Sequence, residues 1–256
     1  GIDSRPWAHG GRTDALVVLV MHRKSGHVGL VSIPRDLLVA IPGDEPNRIN
    51  TVYAKGRKAG GAEQGVILLR QVIRHTLGLP ISSVVLVDHG GFEGLVDALG
   101  GVTVPVICPI EDQFLDPRGP GGRLPLKLEA GTHHLDGRTA LMFVRSRHGR
   151  GLLDRSRRHQ AMLVALRQRA MELGVAKIQQ LFPEVQKTLY TDLTAGQLLK
   201  LLARVYRTKR EHIHGLHLGR KQAVPVTMES GRWVMVPQPD AIAAALANLF
   251  ASGPPG

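Results

Sequence analysis

Residues 140–160 read ALMFVRSRHGRGLLDRSRRHQ, an apolar run followed by a cluster of positive charge. The cluster holds one acid, Asp154, and the cations Arg145, Arg147, Arg150, Arg155, Arg157 and Arg158, with His148 and His159 among them. The apolar run predicts a buried strand, and alternate residues of a strand point the same way, so Arg145 and Arg147 would share a side. Because arginine keeps its charge when buried, such a strand end predicts a bound anion.

The residues after the cluster predict a helix over about 158–173, since their apolar positions recur at helical spacing. The first turn of this helix would present Arg155 and Arg158 beside the end of the strand, where a helix N-terminus also favours anions. A solvated basic loop is the alternative interpretation of such a run of charge.

The composition favours acidic partners. Thirty-three Lys and Arg against 21 Asp and Glu give a net charge of +12, which suits phosphates, nucleic acid or an anionic membrane surface. Aromatic residues make up 4% of the chain, which argues against stacking platforms for single-stranded nucleic acid. A single cysteine, Cys108, excludes an internal disulfide framework and a cysteine-based metal site.

Alternating strand and helix patterns predict one layered α/β domain over residues 1–256. The predicted strands cover 15–21, 27–33, 37–41, 82–88, 102–106, 212–217, 224–227 and 233–236, and the last two would form a hairpin. The other predicted helices cover 63–77, 91–99, 176–189, 195–206 and 239–250. Residues 56–61 before the first of these helices predict a flexible loop, Gly78 would end that helix, and Thr194 would be the N-cap of the helix over 195–206. Turn-rich residues 107–136 predict a mobile excursion with a short strand near 126–128, and residues 251–256 a disordered tail. No run is apolar enough to span a membrane, but the abrupt start on GIDSR suggests that an N-terminal segment is missing.

Two further stretches carry residues suited to phosphate chemistry. Asp3 and Asp14 flank a Gly- and Pro-containing loop and would form a Mg²⁺-binding pair if the loop folds back, because Mg²⁺ is held by one or two carboxylates plus phosphate oxygens. The alternative is a turn acid and a capping acid. In the SIPRD segment, Arg35 lies between two apolar strands and would bind a phosphate bidentately, with Asp36 fixing its orientation.

Five segments in order resemble one family. They are GIDSR, GRTDALVV, VSIPRDLLVAIPG followed by RIN and Tyr53, DALGGVTV, and AGTHHLDGRTALMFVRSR with DRSRRHQ. Together they resemble the LytR–CpsA–Psr family of bacterial cell-wall proteins over residues 1–173. The resemblance implies an α/β/α sandwich with a central mixed sheet and a hydrophobic tunnel for a prenyl chain. The apolar faces of 66–77 and 162–173 would line that tunnel.

The resemblance also implies an activity and a location. The protein would be an extracytoplasmic phosphotransferase, anchored to the bacterial cell membrane by one N-terminal helix. It would move a cell-wall glycopolymer (teichoic acid, capsule or a similar glycan) from polyprenyl pyrophosphate onto peptidoglycan. A polyprenyl-pyrophosphate pyrophosphatase or a lipid-binding protein would use the same pocket. A DNA-binding transcriptional regulator is a further alternative, but no helix-turn-helix or zinc signature appears, so no nucleic-acid partner is expected.

The site residues implied by the resemblance follow its motifs. Asp3 and Asp14 would bind Mg²⁺. The pyrophosphate would be held by Arg12, Arg35, Asn50, Arg145, Arg147, Arg155, Arg158 and Gln160. The catalytic set would be Arg35, Asp36, Arg145, Arg147, Asp154 and Arg155, with Asp36 or Asp154 as the candidate general base.

The sequence departs from the family pattern around Asp154. The family usually has an acid three residues before its motif arginine; that position is Leu152 if the arginine is Arg155, and Asp154 if it is Arg157. Arg155 is preferred, because it keeps Arg158 three residues further on. His159 then stands where the family commonly has glutamine, followed by Gln160.

Overall fold

The computed structural model describes residues 1–3, 11–22, 25–116, 119–146, 152–187 and 189–251. It divides into two compact units. The terminal unit comprises Gly1–Leu86 and Thr191–Gly256, and the central unit comprises Val87–Tyr190. The prediction of a single domain is not decided by this division.

Strands and helices alternate as the sequence predicts. The strands are β1 Ile2–Asp3, β2 Arg12–Thr13, β3 Leu16–Met21, β4 Val28–Ile33, β5 Leu38–Ile41, β6 Asp44–Arg48, β7 Val85–Val87, β8 Val102–Val106, β9 Ile110–Leu115, β10 Arg123–Leu128, β11 Gly131–Leu135, β12 Leu189–Thr191, β13 Ile213–His217, β14 Ala223–Thr227 and β15 Trp233–Pro237. The helices are α1 Val52–Leu77, α2 His89–Ala98, α3 Gly137–Arg145, α4 Leu152–Lys187, α5 Ala195–Arg207 and α6 Pro239–Ala247.

The terminal unit is built around a three-stranded mixed sheet. Strand β4 lies in the middle, antiparallel to β3 and parallel to β13. All six residues of β4 are buried, which explains its nearly continuous apolar sequence. The predicted α/β class with a mixed sheet is confirmed.

Helix α1 packs an apolar stripe into the core of this unit. Its buried residues include Val66, Leu69, Val72, Ile73 and Leu77, the stripe that predicts a helix over 63–77. The helix ends at Gly78 in the left-handed conformation, as the sequence predicts. It begins earlier than predicted, at Val52, with a break at Gly60–Gly61, so the stretch read as a flexible loop is largely helical.

The central unit packs α2, α3 and α4 with two antiparallel strand pairs, β9–β10 and β8–β11. Val102, Val104 and Phe143 are almost fully buried in its core. Three of these strands lie within residues 107–136, where the sequence predicts one short strand. The interpretation of that segment as an irregular excursion is therefore wrong about its secondary structure, while its mobility stays a prediction.

The apolar run at 140–144 is helical, and the predicted strand is wrong. Asp136 caps α3 by accepting a hydrogen bond from the Thr139 amide at 2.8 Å, and the run is buried as part of the helix. A short apolar run does not separate a buried strand from a buried helix, and the N-cap signal before it decides the matter. Arg145 therefore ends a helix, and Arg147, predicted to share its side of a strand, lies outside the described residues.

The segments after the arginine cluster follow the predictions closely. Helix α4 begins at Leu152, earlier than predicted, and merges the two predicted helices across a break at Gly174. Thr194 forms the predicted N-cap of α5 in a capping box with Gln197. The predicted hairpin is β14–β15, and the predicted last helix is α6. In the described part of the chain, none of the helices combines the length and apolarity needed to cross a bilayer.

Gly29 in β4 allows the turn after α6 to pack directly on the sheet. A Cβ atom on this residue would lie 2.5 Å from Leu249 Cδ2, and Leu249 is only 4% exposed. We expect Gly29→Ala to lower the free energy of unfolding by about 1–3 kcal/mol through overpacking. Urea denaturation measures this change.

The control for this substitution is Gly196→Ala in α5, where a Cβ atom meets nothing within 4 Å and helix propensity favours alanine. Adding Leu249→Ala should remove part of the cost of Gly29→Ala, so the double variant should lose less than the sum of the two single variants. If the losses of unfolding free energy in the two single variants sum to the loss in the double variant, the contact between residue 29 and Leu249 is contradicted.

Candidate functional site

The terminal unit contains a chain of alternating carboxylates and guanidinium groups. Arg35 Nη1 lies 3.1 Å from Asp14 Oδ1, and Arg35 Nε lies 3.3 Å from Asp36 Oδ2. Arg48 Nε approaches the other oxygen of Asp36 at 3.5 Å. Asp36 is 5% exposed, and Arg35 remains partly open to solvent. Asp36 and Asp14 therefore contact the Arg35 guanidinium from two sides, and the predicted binding of a phosphate by Arg35 stays a prediction.

The backbone around Arg35 is held from three directions. The turn that carries Arg35 and Asp36 connects β4 to β5. The Asn50 amide donates to the Arg35 carbonyl at 3.2 Å, and the Met235 amide donates to the Asp36 carbonyl at 2.9 Å. Arg48 donates from Nε and Nη2 to the Trp233 carbonyl at 3.0 and 2.6 Å. These bonds fix the backbone of the turn from which the Arg35 side chain extends.

Arg48 is a further residue of this network, and it is not among the site residues predicted from the sequence. It pairs with Asp36 and binds the Trp233 carbonyl, a backbone group 185 positions away. The only local signal is its place two residues before Asn50 in the RIN segment. Its partner near the other end of the chain could not be identified from that signal.

Asn50 lies beside the carboxylate of Asp14. Its Nδ2 atom donates to Asp14 Oδ1 at 3.3 Å, and its backbone carbonyl accepts from Thr13 Oγ1 at 3.4 Å. Asn50 is 4% exposed, and its Oδ1 atom has no hydrogen-bond partner among the described residues. A buried acceptor without a partner costs about 1–3 kcal/mol. This cost indicates that Oδ1 is placed to receive a donor or a cation from a ligand.

A basic pocket of about 750 Å³ lies at the start of α1. It is lined by Arg12, Thr51, Ala54, Lys55, Arg57, Lys58, Gly61 and Ala62. Arg12 is the only one of these that the sequence analysis selected. Lys55 pairs with Asp44, and the pocket residue Thr51 directly follows Asn50 in the chain. The four cations of the lining make this pocket suited to an anionic ligand.

The structure describes Asp3 only through its backbone. Asp3 pairs with Arg12 in the β1–β2 ladder, and Asp14 lies two residues beyond Arg12. The two predicted Mg²⁺ ligands are therefore on neighbouring segments, as the prediction of a folded-back loop requires. Among the described residues, no cluster of three or more His, Cys, Asp or Glu is arranged to hold a metal.

In the central unit, Arg145 and Arg158 lie at the end of α3. The Arg145 guanidinium lies over the Phe114 ring, 5.1 Å from its centroid. Arg158 of α4 donates to the Ser146 carbonyl and lies 6.0 Å from the Phe143 ring centroid. Burial lowers the pKa of the Arg158 guanidinium, and nearby Asp154 and Asp112 oppose that shift. Arg158 thus connects α4 to α3, and its predicted part in substrate binding stays a prediction.

His159 makes a second connection between these helices. Its Nε2 atom lies 3.1 Å from the Val144 carbonyl oxygen. Desolvation, with the positive charge of Arg155 next in importance, lowers the pKa of His159 to about 3. The imidazole is therefore neutral at pH 7 and donates Nε2–H to the carbonyl. A glutamine amide, common in the family at this position, can make the same bond.

The remaining predicted residues lie at the start of α4. Asp154 and Arg155 fall in its first turn, and Gln160 is buried. Arg155 is half-buried, whereas Arg157 is exposed. This difference favours Arg155 as the motif arginine, an assignment that stays a prediction. Convergence of the central-unit arginines with Arg35 also stays a prediction.

The described structure thus combines a mixed α/β fold with an arginine that lies beside carboxylate, amide and cationic groups. The sequence matches the model of the LytR_cpsA_psr family over residues 1–250. The chain therefore belongs to the LytR–CpsA–Psr family, and the predicted membership is confirmed.

Two curated relatives carry cell-wall names. The probable cell wall biosynthesis protein LcpB of Corynebacterium glutamicum is 36% identical over 165 residues, 64% of this chain and 36% of that protein. The polyisoprenyl-teichoic acid–peptidoglycan teichoic acid transferase TagU of Halalkalibacterium halodurans is 30% identical over 223 residues, 85% of this chain and 67% of that protein. The chain thus spans about a third of the length of LcpB and about two thirds of that of TagU.

Solved structures share the fold. The crystal structure of TagV from B. subtilis has a TM-score of 0.75 at 25% identity, covering 93% of this chain and 88% of that one. The family protein YwtF (TagT) with bound octaprenyl pyrophosphate lipid has a TM-score of 0.67 at 23% identity, covering 94% and 86%. The second likeness is evidence for the fold alone.

The buried position of Asp36 generates a stability prediction. Asp36→Asn weakens two charge-assisted contacts at once, and we expect it to lower the free energy of unfolding by about 2–3 kcal/mol. Urea denaturation measures the change. The matched control is Asp44→Asn, which loses an exposed pair with Lys55 and should cost clearly less stability than Asp36→Asn. Equal costs for the two variants would contradict a supporting role for Asp36.

The lowered pKa of His159 makes stability depend on pH. Its pKa falls from 6.5 to about 3 on folding, so protons bind preferentially to the unfolded chain between these values. The contribution of neutral His159 is complete above about pH 6.5 and is lost as the pH falls toward 3. We expect His159→Gln to flatten the pH dependence of unfolding free energy below pH 6.5 by up to about 1.4 kcal/mol per pH unit.

Urea titrations at several pH values from about 7.5 to 5, spanning the ordinary histidine pKa, measure this slope. His75→Gln, on the exposed side of α1, is the control and should leave the wild-type slope unchanged. Parallel curves for wild type and His159→Gln would show that His159 is not kept neutral by the fold.

Proposed function

We propose that this protein transfers a cell-wall glycopolymer from a polyprenyl pyrophosphate carrier to peptidoglycan. Family membership supports the reaction class, and the names of TagU and of the lipid-bound TagT structure describe a polyisoprenyl-linked substrate in relatives. The observation that carries the proposal is the pairing of Arg35 with Asp14 and Asp36, next to an Asn50 oxygen that has no hydrogen-bond partner in the described part of the chain. The enzyme acts at the outer face of the cytoplasmic membrane, where such a lipid-linked donor and peptidoglycan meet.

Arg35 is the central pyrophosphate ligand in this proposal. A guanidinium held by two carboxylates presents its remaining N–H groups in a fixed direction, and this preorganisation favours bidentate binding of a phosphoryl group. Arg12 and the cations at the start of α1 neutralise further charge. The further pyrophosphate ligands in this proposal belong to the central unit. They are Arg145, Arg147, Arg155 and Arg158, with Gln160 as a polar contact.

The reaction needs positioning and charge neutralisation more than covalent catalysis. A hydroxyl of the peptidoglycan acceptor attacks the phosphorus that carries the glycan, and the bond from that phosphorus to the bridging oxygen breaks. Polyprenyl phosphate leaves with the bonding electrons, and the hydroxyl proton passes to a base. Asp36 and Asp154 are the two candidates for that base, and both oxygens of Asp36 lie within ion-pair distance of arginines.

Mg²⁺ fits the oxygen ligands at the terminal-unit site. Asp14 and the Oδ1 atom of Asn50 offer hard oxygens, and Asp3 lies on the neighbouring strand. Such an ion is usually held by one or two carboxylates together with substrate phosphates. When bound, Mg²⁺ would neutralise negative charge on the pyrophosphate. The ion and a prenyl-binding tunnel are both parts of the proposal.

The test is a transfer assay with a lipid-linked glycan donor and peptidoglycan. Arg35→Ala should lower turnover by about 100-fold or more, the cost typical of removing one charge-stabilising donor. Arg35→Lys should also be impaired, because an ammonium group lacks the fork geometry. Arg220→Ala, an exposed arginine outside the site, is the control and should retain wild-type turnover.

Native mass spectrometry of protein purified from bacterial membranes gives a second readout. We expect a bound polyprenyl phosphate or pyrophosphate in the wild type that is lost in the Arg145→Ala, Arg147→Ala double variant. Release of inorganic phosphate without transfer would indicate a pyrophosphatase, and bound lipid without turnover a lipid-binding protein. If neither purified nor added lipid binds, the proposed function is wrong.

A further inference from the structure

Helix α5 carries a row of cations on one exposed face. Lys200, Arg204 and Arg207 follow one another at spacings of four and three residues, so they share a side of the helix, and all three are exposed. They line a surface pocket of about 610 Å³ together with Lys209 and His212. Within the described part of the chain, no acid lines this pocket; Glu211 lies 3.9 Å from Lys209 at its edge.

An apolar edge lies beside this cationic row. Leu199 and Leu202, three residues apart on the helix, are 37% and 40% exposed. Ala203, between the leucine edge and the cations on the helix surface, also lines the pocket. The opposite side of α5 faces the protein through the buried Leu198. The outer half of the helix is therefore part apolar and part cationic.

Helix stability explains only some of these residues. Arg204 and Arg207 lie in the last turn, where cations interact favourably with the helix dipole. Lys200 lies nearer the middle of the helix, and its positive charge four residues before Arg204 is mildly destabilising. Exposed leucines gain nothing from the dipole. A partner that accepts both positive charge and apolar side chains would satisfy the whole surface.

We propose that this face of α5 docks on an anionic phospholipid bilayer. Phosphate headgroups accept the cations, and the boundary between headgroups and acyl chains accepts Leu199 and Leu202. A soluble polyanion, such as a phosphate-containing glycan, would satisfy the cations but leave the leucines in water. The surface complements the proposed function, since a polyprenyl-linked donor resides in a membrane, but it rests on α5 alone.

Vesicle flotation of the 256-residue chain tests this proposal. We expect binding to vesicles that contain phosphatidylglycerol, weak binding to pure phosphatidylcholine, and loss of binding at high salt. Replacing Lys200, Arg204 and Arg207 by glutamine should weaken partitioning by on the order of 100-fold, from about fivefold for each cation near the surface. The control replaces Lys127, Lys187 and Lys221, three exposed lysines elsewhere, and should bind like the wild type.

The leucines distinguish a bilayer from a soluble polyanion. Leu199→Ser with Leu202→Ser should weaken vesicle binding by about tenfold or more while leaving binding of soluble polyphosphate unchanged. If this variant binds vesicles like the wild type, or if the three-glutamine variant matches its control, membrane docking by α5 is wrong. Equal binding to neutral and anionic vesicles would also overturn the proposal.

A transfer assay in detergent separates this proposal from the proposed function. A detergent-dispersed donor needs no docking surface, so the three-glutamine variant should turn over like the wild type there. Turnover without vesicle binding by the wild type would reject docking and keep the transferase. Vesicle binding without turnover would reject the transferase and keep membrane docking.

Discussion

The buried carboxylate of Asp36 is the constraint on which the terminal unit's site depends. A carboxylate at this depth requires compensating charge, and Arg35 and Arg48 supply it from two sides. Arg48 in turn binds the Trp233 carbonyl, and the Met235 amide binds the backbone of Asp36. The same contacts that satisfy Asp36 thus hold the β4–β5 turn against β15. Stability and the orientation of Arg35 therefore share one network.

In the central unit, side chains of a different kind satisfy backbone carbonyls at the end of a helix. The last carbonyls of an α-helix lack partners within the helix. At the end of α3, Arg158 binds the Ser146 carbonyl and His159 binds that of Val144. These bonds connect the beginning of α4 to Val144 and Ser146 at the end of α3. In both units, therefore, an arginine that is proposed to bind the ligand lies next to residues whose ion pairs or hydrogen bonds stabilise the fold.

Sequence patterns predicted element boundaries correctly where a local signal has one structural meaning. Gly78 ends α1 because it adopts the left-handed conformation, and Thr194 begins α5 through its capping box. The strand at 140–144 was wrong because five apolar residues fit either a strand or a helix. Asp136, which caps α3 from four residues before that run, carries the signal that separates the two. Within residues 107–136 the sequence predicts one short strand and the structure has three, because the turn-forming residues there connect short paired strands.

The sequence by itself determined the family, because ordered motifs such as Arg-Thr-Asp and Ser-Ile-Pro-Arg-Asp retain their residue types and spacing. It also identified Arg35, Asp36, Asp14 and Asn50 as candidates. Only the tertiary structure decided that Arg48 is the second partner of Asp36 and that one oxygen of Asn50 has no partner among the described residues. The physical reason is that ion pairs and hydrogen bonds depend on distances in space, and here they join residues from 1 to 185 positions apart in the chain.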